Sequence, residues 1–88
     1  MTTRVVHYKR DEYDVYIGRG SKWGNPYIIG RDGTREEVID KYRNYVLMRK
    51  PNLLNCLEEL KGKRLGCWCS PKACHGDVLV EFITKYLN

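Results

Sequence analysis

The pattern of apolar and polar residues along this chain changes from strand-like to helix-like and back. Residues 4–8 and 14–18 are rich in β-branched and aromatic side chains, and glycine ends the second segment, so both are predicted strands. A brief extended segment at residues 27–29 is followed by a turn that contains two glycines. Residues 64–69 form the last predicted strand.

Three helices are predicted from apolar residues at helical spacing. The first begins at Thr34, whose hydroxyl can cap the helix while Glu37 reaches back to the backbone, and it ends at Pro51. The second spans residues 52–62 and the third spans residues 77–87. The side chains expected on the buried face of the third helix are Leu79, Phe82, Ile83 and Tyr86.

The order of these elements indicates an α/β protein. A strand that follows two helices and leads at once into another helix is typical of a layered fold with at least one parallel crossover. The chain has 88 residues and contains no linker or internal repeat, so residues 1–88 are predicted to form a single domain. We expect a small sheet of three to four strands, partly parallel, packed by about three helices.

The amino-acid composition limits the kinds of molecule that the protein is expected to bind. No stretch approaches the roughly 18 apolar residues that a membrane span needs, and no signal peptide is visible, so a cytoplasmic protein without membrane contact is expected. The formal net charge of +5 favours a phosphorylated small molecule. That charge is spread along the chain rather than gathered in a basic arm, so nucleic acid stays an alternative partner. An open sheet edge also leaves room for a homodimer.

The densest chemistry lies in residues 66–77, which hold three of the four cysteines and one of the two histidines. Cys67 and Cys69 are two apart on a predicted strand and therefore share a face. With Cys74 and His75 they make up the ligand set of a zinc site. The two adjacent ligands would both have to turn inward, and the first pair is more tightly spaced than in common zinc knuckles. Zinc therefore stays an open alternative rather than an assigned cofactor.

A reactive site is the second interpretation of this segment. Cys74 and His75 come just before a predicted helix, whose N-terminus stabilises a thiolate or an incoming anion. Cys74 would then be a nucleophile and His75 a general acid or base. Asp77 would either orient His75 or only cap the helix. The cysteines could equally pack as small apolar side chains.

A loop at residues 18–26 carries the parts that a nucleotide site uses. Its glycines allow close backbone approach, its basic side chains supply positive charge, and Trp23 offers a stacking face. The spacing matches neither a P-loop nor a dinucleotide fingerprint, and a simple turn that buries Trp23 is the alternative. The candidate ligand-binding residues are Gly18, Arg19, Gly20, Ser21, Lys22, Trp23 and Asn25, together with Cys67 and Cys69.

The loop and the Cys-His segment would form one pocket if both lie at the same edge of the sheet, as in open α/β folds. We therefore predict binding of a nucleotide or a nucleotide-derived phosphorylated ligand at the loop and at the Cys74–His75 helix start. Two alternatives stay open. One is an enzyme that cleaves a glycosyl or phosphate-ester bond of such a ligand through Cys74 and His75. The other is a zinc-stapled adaptor for nucleic acid or protein.

Two sets of motifs resemble the family catalogued as domain of unknown function 4326. The matching residues are Tyr16-Ile17-Gly18-Arg19, Gly24-Asn25-Pro26-Tyr27, Gly66-Cys67-Trp68-Cys69, Pro71 and Cys74-His75-Gly76-Asp77. The resemblance covers nearly the whole chain and implies that the motifs form one site, without implying a reaction. Small members of this family are frequent in bacteriophages, which implies a phage setting and the host cytoplasm. The last motif is more distantly similar to an α/β family with a Cys-His-Arg helix start, but Gly76 stands where that arginine would fall.

Overall fold

The computed structural model describes residues 2–69 and 72–87, so Pro71 of the motif lies outside the described residues. The strands are β1 (Arg4–His7), β2 (Val15–Tyr16) and β3 (Arg64–Cys67). The helices are α1 (Arg35–Arg49), α2 (Asn52–Asn55), a 3₁₀ turn (Leu57–Glu59) and α3 (His75–Leu87). Over these described ranges, no helix is long and apolar enough to cross a membrane. The predicted small α/β fold, with a sheet of three to four strands packed by about three helices, is confirmed by the three strands and three helices described.

The sheet has the order β1–β3–β2, and β3 pairs in parallel with both neighbours. Leu65 in the central strand aligns with Val5 on one side and Val15 on the other. These three side chains share one face, since side chains alternate across a strand. Against that face pack the helices, and the largest fully buried side chains are Tyr42, Phe82, Ile17, Leu57, Leu60, Leu65, Leu79, Val46 and Val78.

Gly66 on the central strand is required by the path of the chain between the two edge strands. Both edge strands run parallel to β3, so residues 8–14 must carry the chain back before β2 begins. This segment lies over Gly66, where an added Cβ would sit 2.8 Å from Tyr13 Cγ and 3.1 Å from Tyr8 Cβ. A larger residue at position 66 would displace the covering tyrosines.

The first helix begins as the sequence predicts. Thr34 Oγ1 accepts a hydrogen bond from the Glu37 backbone N–H at 3.2 Å, and Glu37 Oε1 accepts one from the Thr34 N–H at 2.9 Å. This capping box satisfies two backbone donors that would otherwise lack a partner at the helix end. It also sets Arg35 as the first residue of α1.

Two predicted elements and the predicted burial of one side chain differ from the structure. Residues 27–29 do not form a strand. Ile29 makes only an isolated bridge to Gly33, because Asp32 Oδ2 accepts the Ile28 N–H at 2.7 Å and closes a turn. The second helix is broken after α2, where the chain tightens into the 3₁₀ turn. The predicted buried residue Tyr86 is 48% exposed.

The third helix begins two residues earlier than predicted, at His75. Asp77 is therefore the third helical residue, and its Oδ2 accepts a hydrogen bond from the Cys74 backbone N–H at 3.0 Å. A carboxylate at the third position caps the helix from inside its first turn. The sequence-based prediction had placed the first residue of the helix at Asp77. Cys74 becomes the residue that precedes α3.

Asp14 and Arg64 join the start of β2 to the start of β3. The Asp14 carboxylate accepts a hydrogen bond from the Arg64 backbone N–H at 2.8 Å. It also accepts two from the Arg64 guanidinium, at 3.0 and 3.1 Å. The side-chain hydrogen bonds from Arg64 lower the pKa of Asp14 to about 2. Because the folded-state pKa lies below the ordinary value, the stabilisation is present above about pH 4 and is lost as the pH falls toward 2.

We therefore expect the free energy of unfolding of Asp14→Asn to depend less on pH in the acid range than that of the wild type. The free energy of unfolding, measured by urea titration between about pH 5 and pH 2, should decline less steeply in this variant than in the wild type. Glu58→Gln is the control, since Glu58 is exposed and forms no ion pair within the described ranges. An unchanged acid limb in Asp14→Asn would contradict the assignment.

Candidate functional site

The carboxyl ends of β2 and β3 lie at one edge of the sheet, where the Ile17 N–H donates to Gly66 O at 3.0 Å. The loop that follows β2 and the segment that follows β3 therefore start side by side. Between them is a cavity of about 230 Å³. Its lining includes the predicted site residues Gly18, Arg19, Asn25, Cys67, Cys69, Cys74 and His75.

Four loop candidates are not among the described residues that line this cavity. Trp23 is 2% exposed and belongs to the core. Lys22 pairs with Glu59 at 2.9 Å, and Ser21 Oγ donates to the Gly18 carbonyl at 2.7 Å. The fourth, Gly20, has a φ of 91° and serves the turn itself. For this part of the loop the structure matches the alternative of a turn that buries Trp23.

Asn25 lines the cavity but uses its side chain to hold the loop. Its Nδ2 donates to the Val38 carbonyl at 3.1 Å, and its Oδ1 accepts the Tyr27 N–H at 2.9 Å. Both ends of the amide are thus occupied within the protein. Asn25 shapes the site and ties it to α1.

Sequence reasoning missed Arg35 and Tyr27, which also line the cavity. Arg35 Nη1 donates to the Ala73 carbonyl at 3.0 Å and so links α1 to the segment before α3. The sequence did contain a signal for Arg35, because it directly follows the predicted cap Thr34. The first residue of a helix lies at the positive end of the helix dipole, where anions bind. For Tyr27, which falls in the brief extended segment, the available signal was its place in the Gly24-Asn25-Pro26-Tyr27 motif.

Among the described residues, the two charged side chains that line the cavity are both basic. Arg19 and Arg35 line it, and none of the lining residues that the structure describes is acidic. The N-terminus of α3 lies at the same place and adds a partial positive charge. This arrangement attracts an anion.

Cys67 and Cys74 form a buried thiol pair with 3.1 Å between their sulfurs. The hydrogen bond between them lowers the pKa of Cys67, and the backbone N–H of Cys69 adds to this effect. The same hydrogen bond, together with burial, raises the pKa of Cys74. The pair as a whole therefore loses its first proton more readily than its second.

His75 is buried and held in one orientation. Its Nε2 lies 2.6 Å from the Ile17 carbonyl, and since a carbonyl only accepts hydrogen bonds, Nε2 carries the proton. Its ring contacts Tyr42 edge-on, with centroids 5.0 Å apart. Burial lowers the pKa of His75, so the ring is neutral near pH 7 with a lone pair on Nδ1.

Asp77 is not among the described residues that line the cavity. Its carboxylate caps the Cys74 N–H, and the His75 ring is oriented by Ile17 instead. The structure thus supports capping as the contact that Asp77 makes. The Cys-His segment contributes sulfur and imidazole to the site but no carboxylate.

Cys67, Cys74 and His75 form a group whose donor atoms all lie within 4.8 Å of one another. All three residues are buried. Cys69, the fourth ligand of the predicted zinc set, is half-buried and is not part of this group. The four-ligand prediction thus becomes a three-residue cluster over the described ranges.

Comparison with known proteins gives a family and viral relatives. The model of the family described as Domain of unknown function (DUF4326) matches residues 2–85. An uncharacterised 12.4 kDa protein from the nrdA-td intergenic region of Enterobacteria phage T4 is 40% identical over 86 residues, which covers 93% of this chain and 78% of that protein. An uncharacterised protein of Acanthamoeba polyphaga mimivirus is 37% identical over 107 residues, with 94% and 81% covered. No solved structure matches the chain.

Proposed function

The chain belongs to the DUF4326 family, and from the geometry of its cavity we propose that it binds a nucleotide or a nucleotide-derived phosphorylated ligand. One observation carries this proposal. Two arginines and the N-terminus of α3 surround a cavity whose described lining has no acidic side chain. Such a cavity favours a ligand that carries phosphate.

The two arginines differ in how free they are to bind phosphate. Arg19 is exposed, and no hydrogen bond or ion pair to it occurs within the described ranges. Arg35 donates one N–H to the Ala73 carbonyl, and the other N–H groups of its guanidinium stay available for a ligand. A guanidinium presents five donors in a planar fork, which suits the oxygens of a phosphate group.

The non-phosphate part of the ligand would meet an aromatic side chain. Tyr27 lines the cavity, whereas the ring of Trp68 packs against Tyr8, with centroids 4.5 Å apart, and beneath the Lys9 ammonium. Stacking of a base on an aromatic side chain contributes roughly 1–3 kcal/mol. Since the cavity volume of about 230 Å³ is below the roughly 300–1,000 Å³ of most ligand pockets, part of a nucleotide would extend out of the cavity.

A second candidate function is cleavage of a glycosyl or phosphate-ester bond in the same ligand. It is favoured by the presence of Cys67, Cys74 and His75 in the cavity that holds the arginines. A sulfur nucleophile and an imidazole within one cavity are the parts of a covalent or acid-base mechanism. The phage relative supports a setting in the cytoplasm of an infected cell for either function.

We expect Arg19→Gln and Arg35→Gln each to weaken nucleotide binding by roughly 10- to 150-fold, since a hydrogen bond to a charged group contributes roughly 1.5–3 kcal/mol. Isothermal titration calorimetry against a panel of nucleoside mono- and diphosphates measures this, with free nucleosides and inorganic phosphate as separate arms. Arg49→Gln is the matched control. Arg49 is exposed at the far end of the same helix as Arg35, so this variant loses the same charge away from the cavity.

Two results would contradict the proposal. One is the absence of heat and of any rise in melting temperature with every member of the panel. The other is an equal loss of affinity in Arg49→Gln, which would assign the binding to net charge alone. Chromatography of the recovered ligand separates the two functions, because an unchanged nucleotide indicates a binder and a cleaved one indicates the enzyme.

A further inference from the structure

Three soft donor groups meet in the wall of the cavity, and their chemistry goes beyond nucleotide binding. We propose that Cys67, Cys74 and His75 bind one Zn²⁺ and leave its fourth coordination position open to the cavity. The donor atoms lie within 4.8 Å of one another, and all three residues are buried and line the cavity. Two thiolates and an imidazole are ligands that zinc prefers.

The spacing fits an ion after small shifts. Zinc lies about 2.3 Å from sulfur and about 2.0–2.1 Å from a histidine nitrogen, so tetrahedral ligand atoms are separated by roughly 3.4–3.8 Å. The sulfurs of Cys67 and Cys74, now 3.1 Å apart, would separate by less than about 1 Å to reach this range. No change of secondary structure is needed, since Cys67 ends β3, Cys74 directly precedes α3 and His75 begins it.

Each of the three ligands is already supported by a backbone group. The Ile17 carbonyl accepts the Nε2–H of His75 at 2.6 Å, which orients the ring and leaves Nδ1 as the donor to a metal. The Cys74 sulfur accepts the Gly76 N–H at 3.3 Å, and the Cys67 sulfur accepts the Cys69 N–H at 3.5 Å. Supporting hydrogen bonds of this kind hold metal ligands in place and favour thiolates.

The open position follows from the placement of Cys69 and of the cavity. Cys69 is outside the cluster, so over the described ranges zinc would have three protein ligands rather than the four of a structural site. The fourth position would face the cavity that Arg19 and Arg35 line, where water or an anionic oxygen can occupy it. Each thiol that binds zinc loses its proton to the solvent, so binding releases up to about two protons.

The test uses the full chain, freed of metal, kept reduced with a phosphine and without any nucleotide. Titration with Co²⁺ should give one equivalent of binding with the thiolate-to-cobalt charge-transfer band, and Zn²⁺ should displace the cobalt. Calorimetry in buffers of different ionisation enthalpy counts the released protons. X-ray absorption of the zinc-loaded wild type should report two sulfur neighbours and two lighter ones, a result that does not depend on the folding of any variant.

Variants locate the site. Cys67→Ser, Cys74→Ser and His75→Gln should each weaken zinc binding by roughly 100-fold or more, beyond the ~10–100-fold typical of losing a supporting group. Cys56→Ser, which changes a cysteine outside the cluster, should retain the affinity of the wild type. Cys69→Ser should also retain it.

Several results would overturn the proposal. A reduced protein with no charge-transfer band and no sulfur neighbours to zinc has no such site. Loss of zinc in Cys69→Ser would mean a closed four-ligand site without an open position. A disulfide between Cys67 and Cys74, found by mass spectrometry in protein isolated from a reducing cytoplasm, would assign the short sulfur distance to a redox pair instead. Because no nucleotide is present, failure here leaves the nucleotide proposal to its own test.

Discussion

Phe82→Ala is expected to lower the free energy of unfolding by about 3–5 kcal/mol, the usual cost of removing a buried phenylalanine side chain. Phe82 is 2% exposed and belongs to the hydrophobic core. Domains of this kind have a total stability of only about 5–15 kcal/mol, so this loss is a large fraction of the total. Urea denaturation followed by circular dichroism measures the change.

The matched control is Tyr86→Ala, on the same helix. Tyr86 also carries an aromatic ring, and its centroid lies 5.8 Å from that of Phe82, but it is 48% exposed. We expect its truncation to cost less than about 1 kcal/mol, since surface substitutions seldom cost more. Equal losses in the two variants would contradict the orientation of α3.

Tyr42→Phe is expected to lower the free energy of unfolding by about 1–3 kcal/mol, although it removes only one oxygen atom. Tyr42 is completely buried, and its hydroxyl donates to the Trp23 carbonyl at 2.7 Å. Without the hydroxyl, this buried carbonyl has no hydrogen-bond donor. The free-energy cost of removing it from water is then no longer compensated. For a domain of this size, each 1 kcal/mol corresponds to a fall in melting temperature of roughly 4–8 °C.

The same hydrogen bond joins α1 to the loop that begins the cavity, so the site should loosen together with the core. Tyr45→Phe is the control, because Tyr45 is a half-buried neighbour whose hydroxyl makes no hydrogen bond over the described ranges. Differential scanning calorimetry of both variants compares the effects. A Tyr45→Phe loss as large as that of Tyr42→Phe would show that the Trp23 carbonyl is not the cause.

Features that depend on neighbours along the chain were predictable from the sequence. The Thr34–Glu37 capping box formed as predicted, because both partners lie within one helical turn. The face of α3 was correct for Phe82, whereas Tyr86 was misplaced. Periodicity identifies a helical face, but the neighbours that cover the end of that face are set by the fold.

The candidate site divides in the same way. Cys67, Cys74 and His75 could be recognised as a group because they are close in sequence. Arg35 could not, since it reaches the cavity only through the packing of α1. Nor could the sequence separate the loop residues that line the cavity from those, such as Trp23, that enter the core.

The sequence by itself determined the α/β class, the start of the first helix, the soft character of the Cys-His segment and the positive charge. These follow from local hydrogen bonding, side-chain periodicity and composition. Only the tertiary structure decided that the parallel sheet brings the ends of β2 and β3 together, that Trp23 is buried, and that Cys69 lies outside the cluster of Cys67, Cys74 and His75. The physical reason is that pairing and burial join residues 50 or more positions apart, as in the hydrogen bond between His75 and Ile17, and no local pattern records which distant partner will meet them.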